Sequence, residues 1–153
     1  GKGSSFSFQI EFQISPQQES KKKKKPMIKY DSAKLINKKI LLVEDNKINQ
    51  MITKKMLDNK GIICEIIDNG EDAIDLMKTN TFDLVLMDVH LPGINGTIAT
   101  ETIRTFDSTT PIIALTAISL HENREMLLSF GMNDVITKPF VPEEFYSVIA
   151  EYI

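Results

Sequence analysis

The sequence predicts an α/β domain with a doubly wound, mostly parallel sheet. Two observations predict it. Short apolar runs begin at residues 40, 62, 84, 112 and 135, and steps of 22, 22, 28 and 23 residues each hold a strand, a loop and one helix. Three of those runs, Ile40 to Val43, Leu84 to Met87 and Ile112 to Leu115, show no polar alternation, as expected of strands covered on both faces.

The elements follow in order. Ile40-Leu41-Leu42-Val43 is the first strand, and Asp45-Asn46 can cap the helix after it. In that helix Ile48, Met51, Ile52 and Met56 fall on one face. Glu65 interrupts the run from Ile62 to Ile67, which suits a more exposed edge strand. Asn69-Gly70 precedes a second helix carrying Ala73, Ile74 and Met77. Leu84 to Met87 is the third strand, and Asn95-Gly96 precedes a helix with Ile98, Ala99, Thr102 and Ile103. Ile112 to Leu115 is the fourth strand, followed by a helix over roughly Glu122 to Ser129. Val135-Ile136-Thr137 is a weaker fifth strand. The fifth helix has Pro142 in its first turn, Glu143 and Glu144 on the favoured end of the helix dipole, and Phe145, Val148, Ile149 and Tyr152 on one face.

The 153 residues suit one ordinary domain, and 42% hydrophobic with 25% charged residues excludes a fully disordered or fibrous chain. The single cysteine, Cys64, excludes an internal disulfide and a Cys-rich zinc module, and it reads as a buried strand residue. The longest apolar runs fall short of a membrane span, and no signal-peptide pattern is expected.

The net charge of −3 hides a split. Residues 1–30 hold seven lysines and two acids, while residues 31–153 hold 11 basic and 19 acidic residues. Residues 16–37 read as a lysine-rich tether, and residues 38–153 as the folded domain. The tether lacks the aromatic and arginine interleaving of a nucleic-acid binder, so no nucleic-acid or membrane partner is expected.

In a parallel sheet the residues that follow each strand emerge on one edge. Here they are Glu44-Asp45, Asp88, Thr116 and Lys138-Pro139. Three close carboxylates repel unless a proton or a cation relieves them. Hard oxygen ligands suit Mg²⁺, or Mn²⁺. A lysine and a threonine beside such an ion suit a phosphoryl group, and an aspartate can be its acceptor. Each residue alone has a plain reading as a cap, a strand end or a solvated charge. Their convergence from four strand ends is what points to a site.

These residues carry a family resemblance. The motifs ILLVEDN (40–46), LVLMDVHLPGING (84–96), IIALTA (112–117) and GMNDVITKPF (131–140) make residues 38–153 resemble the receiver domain of two-component response regulators. The resemblance implies a flavodoxin-like sheet of order 2-1-3-4-5 with five helices. It implies Asp88 as phosphoacceptor, and Glu44, Asp45, Asp88 and the His90 backbone carbonyl as Mg²⁺ ligands. Thr116 and Lys138 would contact the phosphoryl group, and the Lys138-Pro139 bond would be cis. Partners would be a histidine kinase or a histidine phosphotransfer domain in the cytoplasm, with the oligomeric state left open. The chain departs from the family at Val135, a position that is usually aromatic, so the usual ring switch has no ring here. His90 is read as an exposed loop histidine.

Residues 1–15, GKGSSFSFQIEFQIS, lack the spacing of a phosphate-binding glycine loop. They alternate as a strand and resemble the last glycine motif and final strand of a histidine-kinase ATP-binding domain. That resemblance implies the C-terminal part of a hybrid sensor kinase. Two other readings stay open: a non-phosphorylated interaction module on the same scaffold, and an aspartyl-phosphate phosphatase. His90 stands where such phosphatases commonly carry a second aspartate, which counts against the second of these.

Overall fold

The computed structural model describes residues 31–117 and 120–153. The expected strand of residues 1–15 and most of the tether lie outside the described residues. Five strands follow in chain order: β1 (Lys39–Val43), β2 (Ile63–Ile67), β3 (Leu84–Asp88), β4 (Ile112–Thr116) and β5 (Asp134–Thr137). Five helices alternate with them: α1 (Lys47–Asp58), α2 (Gly70–Thr79), α3 (Gly96–Arg104), α4 (Leu120–Ser129) and α5 (Pro142–Tyr152). The sheet is parallel throughout, in the order β2-β1-β3-β4-β5. This is the flavodoxin-like order, and it reverses direction between β1 and β3.

Strand alternation builds two cores. Leu41, Val43, Val85, Met87, Ile112, Ala114 and Val135 face α2, α3 and α4, where Ala73, Met77, Ala99, Ile103 and Leu127 meet them. Ile40, Leu42, Leu84, Leu86, Ile113, Leu115 and Ile136 face α1 and α5, where Leu57, Phe145 and Ile149 meet them. The central strands are fully buried, while β2 is half-buried as an edge strand.

Asparagines start three helices. Asn46, Asn69 and Asn95 each accept the backbone N–H three residues on, which fixes where each loop turns into a helix. In α5, Pro142 takes the first turn and Glu143 and Glu144 follow it.

Three expectations need correction. The tether was expected to run to residue 37. Residues Ser32–Leu35 instead form a 3₁₀ turn, Leu35 is fully buried against α5, and Lys34 donates to the Ala150 carbonyl. Burial of Leu35 acts together with the Lys34 bond and the Asn37 N–H, which donates to Gly61 O at 2.8 Å, to hold this segment on the domain. In α1 the apolar face is not the buried one. Ile48, Met51 and Ile52 are 67%, 71% and 51% exposed, whereas Gln50, Thr53 and Leu57 are buried and Met56, the fourth residue of that face, packs partly buried against the core. Cys64 is half-buried rather than buried, and burial still pushes its thiol up to about 11. No helix among the described residues is long and apolar enough to cross a membrane.

Candidate phosphoryl and metal site

The carboxyl edge of the sheet gathers the polar groups. Asp88 is the last residue of β3, and Thr116 the last of β4, so both sit inside their strands rather than after them. Asp88 pairs in register with Leu115, which places Thr116 one residue beyond it on the neighbouring strand. Glu44 and Asp45 follow β1 directly, and Lys138 follows β5 directly and is joined to Pro139 by a cis peptide bond.

Burial sorts these groups. Glu44 is 1% exposed, Asp88 4% and Thr116 2%, whereas Asp45 faces solvent. Glu44, Asp45 and Asp88 each offer an oxygen within 4.8 Å of the others. Lys138 Nζ donates to Glu44 Oε2 at 2.8 Å and to Asp88 Oδ2 at 3.4 Å. The Asn46 N–H reaches Glu44 Oε1 at 3.2 Å, and the His90 N–H reaches Asp88 Oδ1 at 3.0 Å. His90 itself lies in the exposed loop after β3.

The two buried acids titrate apart. Burial pushes Asp88 up to about 6, against the His90 N–H and Lys138, with Glu44 adding to the rise. Burial also pushes Glu44 upward, but the hydrogen bond from Lys138, with help from Asp88 and Asn46, holds it below its ordinary range. Glu44 therefore carries the charge that Lys138 answers, and Asp88 is the acid that a proton or a cation relieves.

One ammonium cannot neutralise three carboxylates. The donor set is all hard oxygen, which fits a small divalent cation such as Mg²⁺ and does not fit a soft metal. Glycine makes the geometry possible. A Cβ on Gly96 would stand 2.2 Å from the Asp88 carbonyl oxygen, so α3 approaches the end of β3 closely only without a side chain. Sequence reasoning missed two contributors. Gln50, one of several polar residues in α1, gives no sign that it reaches the Glu44 carbonyl at 2.6 Å. The bare face of α1 beside the acid pair was hidden by its apolar residues, which read as core.

Comparison with known proteins agrees with this geometry. A family model described as the response regulator receiver domain matches residues 40–150. The transcription factor SKN7 of Saccharomyces cerevisiae is 35% identical over 114 residues, covering 74% of this chain but 18% of SKN7. The chain spans about a fifth or less of the curated relatives it matches first. The receiver domain of the sensor histidine kinase PA1611 from Pseudomonas aeruginosa, solved with magnesium in its active-site cleft, is 37% identical with a TM-score of 0.71. That match covers 76% of this chain and 97% of the PA1611 domain. The Saccharomyces cerevisiae Ssk1 receiver, solved with the histidine phosphotransfer protein Ypd1, is 30% identical with a TM-score of 0.71, covering 76% of this chain and 89% of that one. With the matched family model, the parallel fold of the expected order and the acid-rich carboxyl edge all in agreement, this chain belongs to the response regulator receiver domain family of two-component signalling.

Proposed function

We propose that this domain accepts a phosphoryl group on Asp88 from a phosphohistidine, as one step of a phosphorelay. The observation that carries the reading is the buried Asp88 carboxylate, 3.4 Å from Lys138 Nζ and grouped with Glu44 and Asp45. In the reaction an Asp88 oxygen attacks phosphorus, the O–P bond forms, and the N–P bond breaks with its electron pair returning to the donor imidazole. Asp88 must be ionised to attack, and Lys138, once turned from Glu44, answers the negative charge on the phosphoryl oxygens. Thr116 contributes a hydroxyl to those oxygens. The His90 N–H orients Asp88 Oδ1, while Asp88 Oδ2 faces the Lys138 ammonium at 3.4 Å.

Glu44, Asp45, Asp88 and the His90 backbone carbonyl would hold Mg²⁺, with Mn²⁺ an alternative. When bound, the cation neutralises charge on the transferring group. The three carboxylates draw it in, and the magnesium reported for the PA1611 receiver supports the assignment.

The donor is a histidine kinase or a histidine phosphotransfer domain, as the Ssk1–Ypd1 complex suggests by analogy. Its docking face here is α1, which begins beside the acid pair and bares Ile48, Met51 and Ile52 between Lys47 and Lys55. We place the domain in the cytoplasm, within a hybrid sensor histidine kinase. The kinase-like residues 1–15, the lysine-rich tether and the likeness to the PA1611 receiver support that context.

Incubation with a labelled phosphohistidine donor tests the reading. Label should enter the wild type only with a divalent cation and should be absent from Asp88→Asn. Label retained by D88N overturns the assignment of Asp88. Failure of beryllofluoride to bind in the presence of Mg²⁺ would favour an interaction module that is not phosphorylated.

A further inference from the structure

Gln50 is buried on the inner face of α1, although its neighbour Met51 is 71% exposed. A buried amide costs free energy unless it is hydrogen-bonded. Its Nε2 donates to the backbone carbonyl of Glu44 at 2.6 Å. The Glu44 N–H in turn donates to Ile67 O at 2.9 Å, carrying the β1–β2 ladder one residue past the strand. Both main-chain groups of Glu44 are thus tied, one to the sheet and one to α1. The carbonyl that Gln50 holds belongs to the peptide joining Glu44 to Asp45. Fixing that peptide plane fixes where the Asp45 side chain leaves the backbone.

The start of α1 does not need this bond. Asn46 already caps the helix, accepting the Asn49 N–H at 3.0 Å. We propose that Gln50 is a positioning residue for the cation site, holding the Glu44-Asp45 peptide so that the two acids present their oxygens together. The proposal rests on the Mg²⁺ reading above. Groups that orient metal ligands without touching the metal have measurable effects on affinity, and this one acts from the helix assigned to partner docking.

The test is calorimetric titration of Mg²⁺ into wild type, Gln50→Met and Leu57→Val. Gln50→Met keeps length and volume but loses the donor, and should bind Mg²⁺ about 10-fold more weakly. Leu57→Val loosens the same buried face at a residue with no bond to Glu44, and should keep wild-type affinity whatever it does to the melting temperature. In the metal-free proteins, amide exchange at Asp45 and Asn46 should quicken in Gln50→Met only. Wild-type affinity in Gln50→Met, or an equal loss in Leu57→Val, overturns the proposal. If Gln50→Met does not fold, Gln50→Asn, with its amide withdrawn by one methylene, replaces it, and wild-type affinity there is equally fatal. A wild type that binds no Mg²⁺ fails the metal reading itself, a result distinct from the Gln50 comparison.

Discussion

Lys138 Nζ stands 2.8 Å from Glu44 Oε2, closer than its 3.4 Å to Asp88 Oδ2. The Lys138 ammonium is thus tied first to an acid that is 1% exposed. Removing the lysine leaves that charge buried and unanswered. Lys138→Met should lower stability by about 1–3 kcal/mol, discounted for the lysine's partial exposure, as measured by denaturant unfolding without metal. It should also slow phosphoryl transfer by about 100-fold, because the charge facing the transferring oxygens is gone. Unchanged stability would show that the Glu44 contact is not formed in solution.

Asp88 predicts a pH dependence. Its carboxyl is raised from 3.8 to about 6, with burial as the largest cause. Between those values the folded state holds a proton that the unfolded state has released, so this group's contribution to stability falls as pH rises and levels off above about 6. Glu44, held low, contributes in the opposite sense. Asp88→Asn removes the penalty. Metal-free D88N should be more stable than wild type at pH 8 by on the order of 1–3 kcal/mol, with the gap closing toward pH 4. Paired denaturant titrations in a chelator check this, and a gap that widens on acidification contradicts it.

Much of the fold was legible, for particular reasons. Ile40 to Val43, Leu84 to Met87 and Ile112 to Leu115 lie in strands buried on both faces, so continuous apolar runs marked them. Asn46, Asn69 and Asn95 announced their helices because a cap is a local interaction. Leu35 was not legible, since one leucine among lysines has no period and its burial depends on α5, more than a hundred residues on. Periodicity found the apolar face of α1, but it cannot tell a face that meets the sheet from one that meets a partner. Of the site, Glu44, Asp45, Asp88, Thr116 and Lys138 could be named because topology brings strand ends together. The Gln50 bond runs to a backbone carbonyl, and a sequence carries no mark of that.

Gly96 carries a steric prediction. A Cβ there would sit 2.2 Å from Asp88 O and 3.0 Å from Asp88 C, both backbone atoms that cannot swing aside. Gly96 also donates to Val89 O at 2.9 Å, so α3 is held against the strand end. Gly96→Ala should destabilise by about 1–3 kcal/mol and weaken Mg²⁺ binding as the strand end shifts. Thermal melts and Mg²⁺ titration read the two effects, and a variant that binds Mg²⁺ normally would show that α3 gives way instead of β3.

The exposed face of α1 separates docking from chemistry. Met51 is 71% exposed and flanked on the helix surface by Ile48, Ile52 and Lys55. Few folded-state contacts depend on it, so Met51→Asp should change stability by less than about 0.5 kcal/mol. A small acyl phosphate needs only the carboxyl edge and should phosphorylate this variant at the wild-type rate. A phosphohistidine protein must cover the edge and rest on neighbouring surface. An aspartate in the middle of an apolar patch should cut its transfer efficiency by about 10-fold or more. Parallel rate measurements with the two donors check the split. Equal loss with both would place the effect of Met51 on the site and not on the interface, and no loss with either would move the docking face off α1.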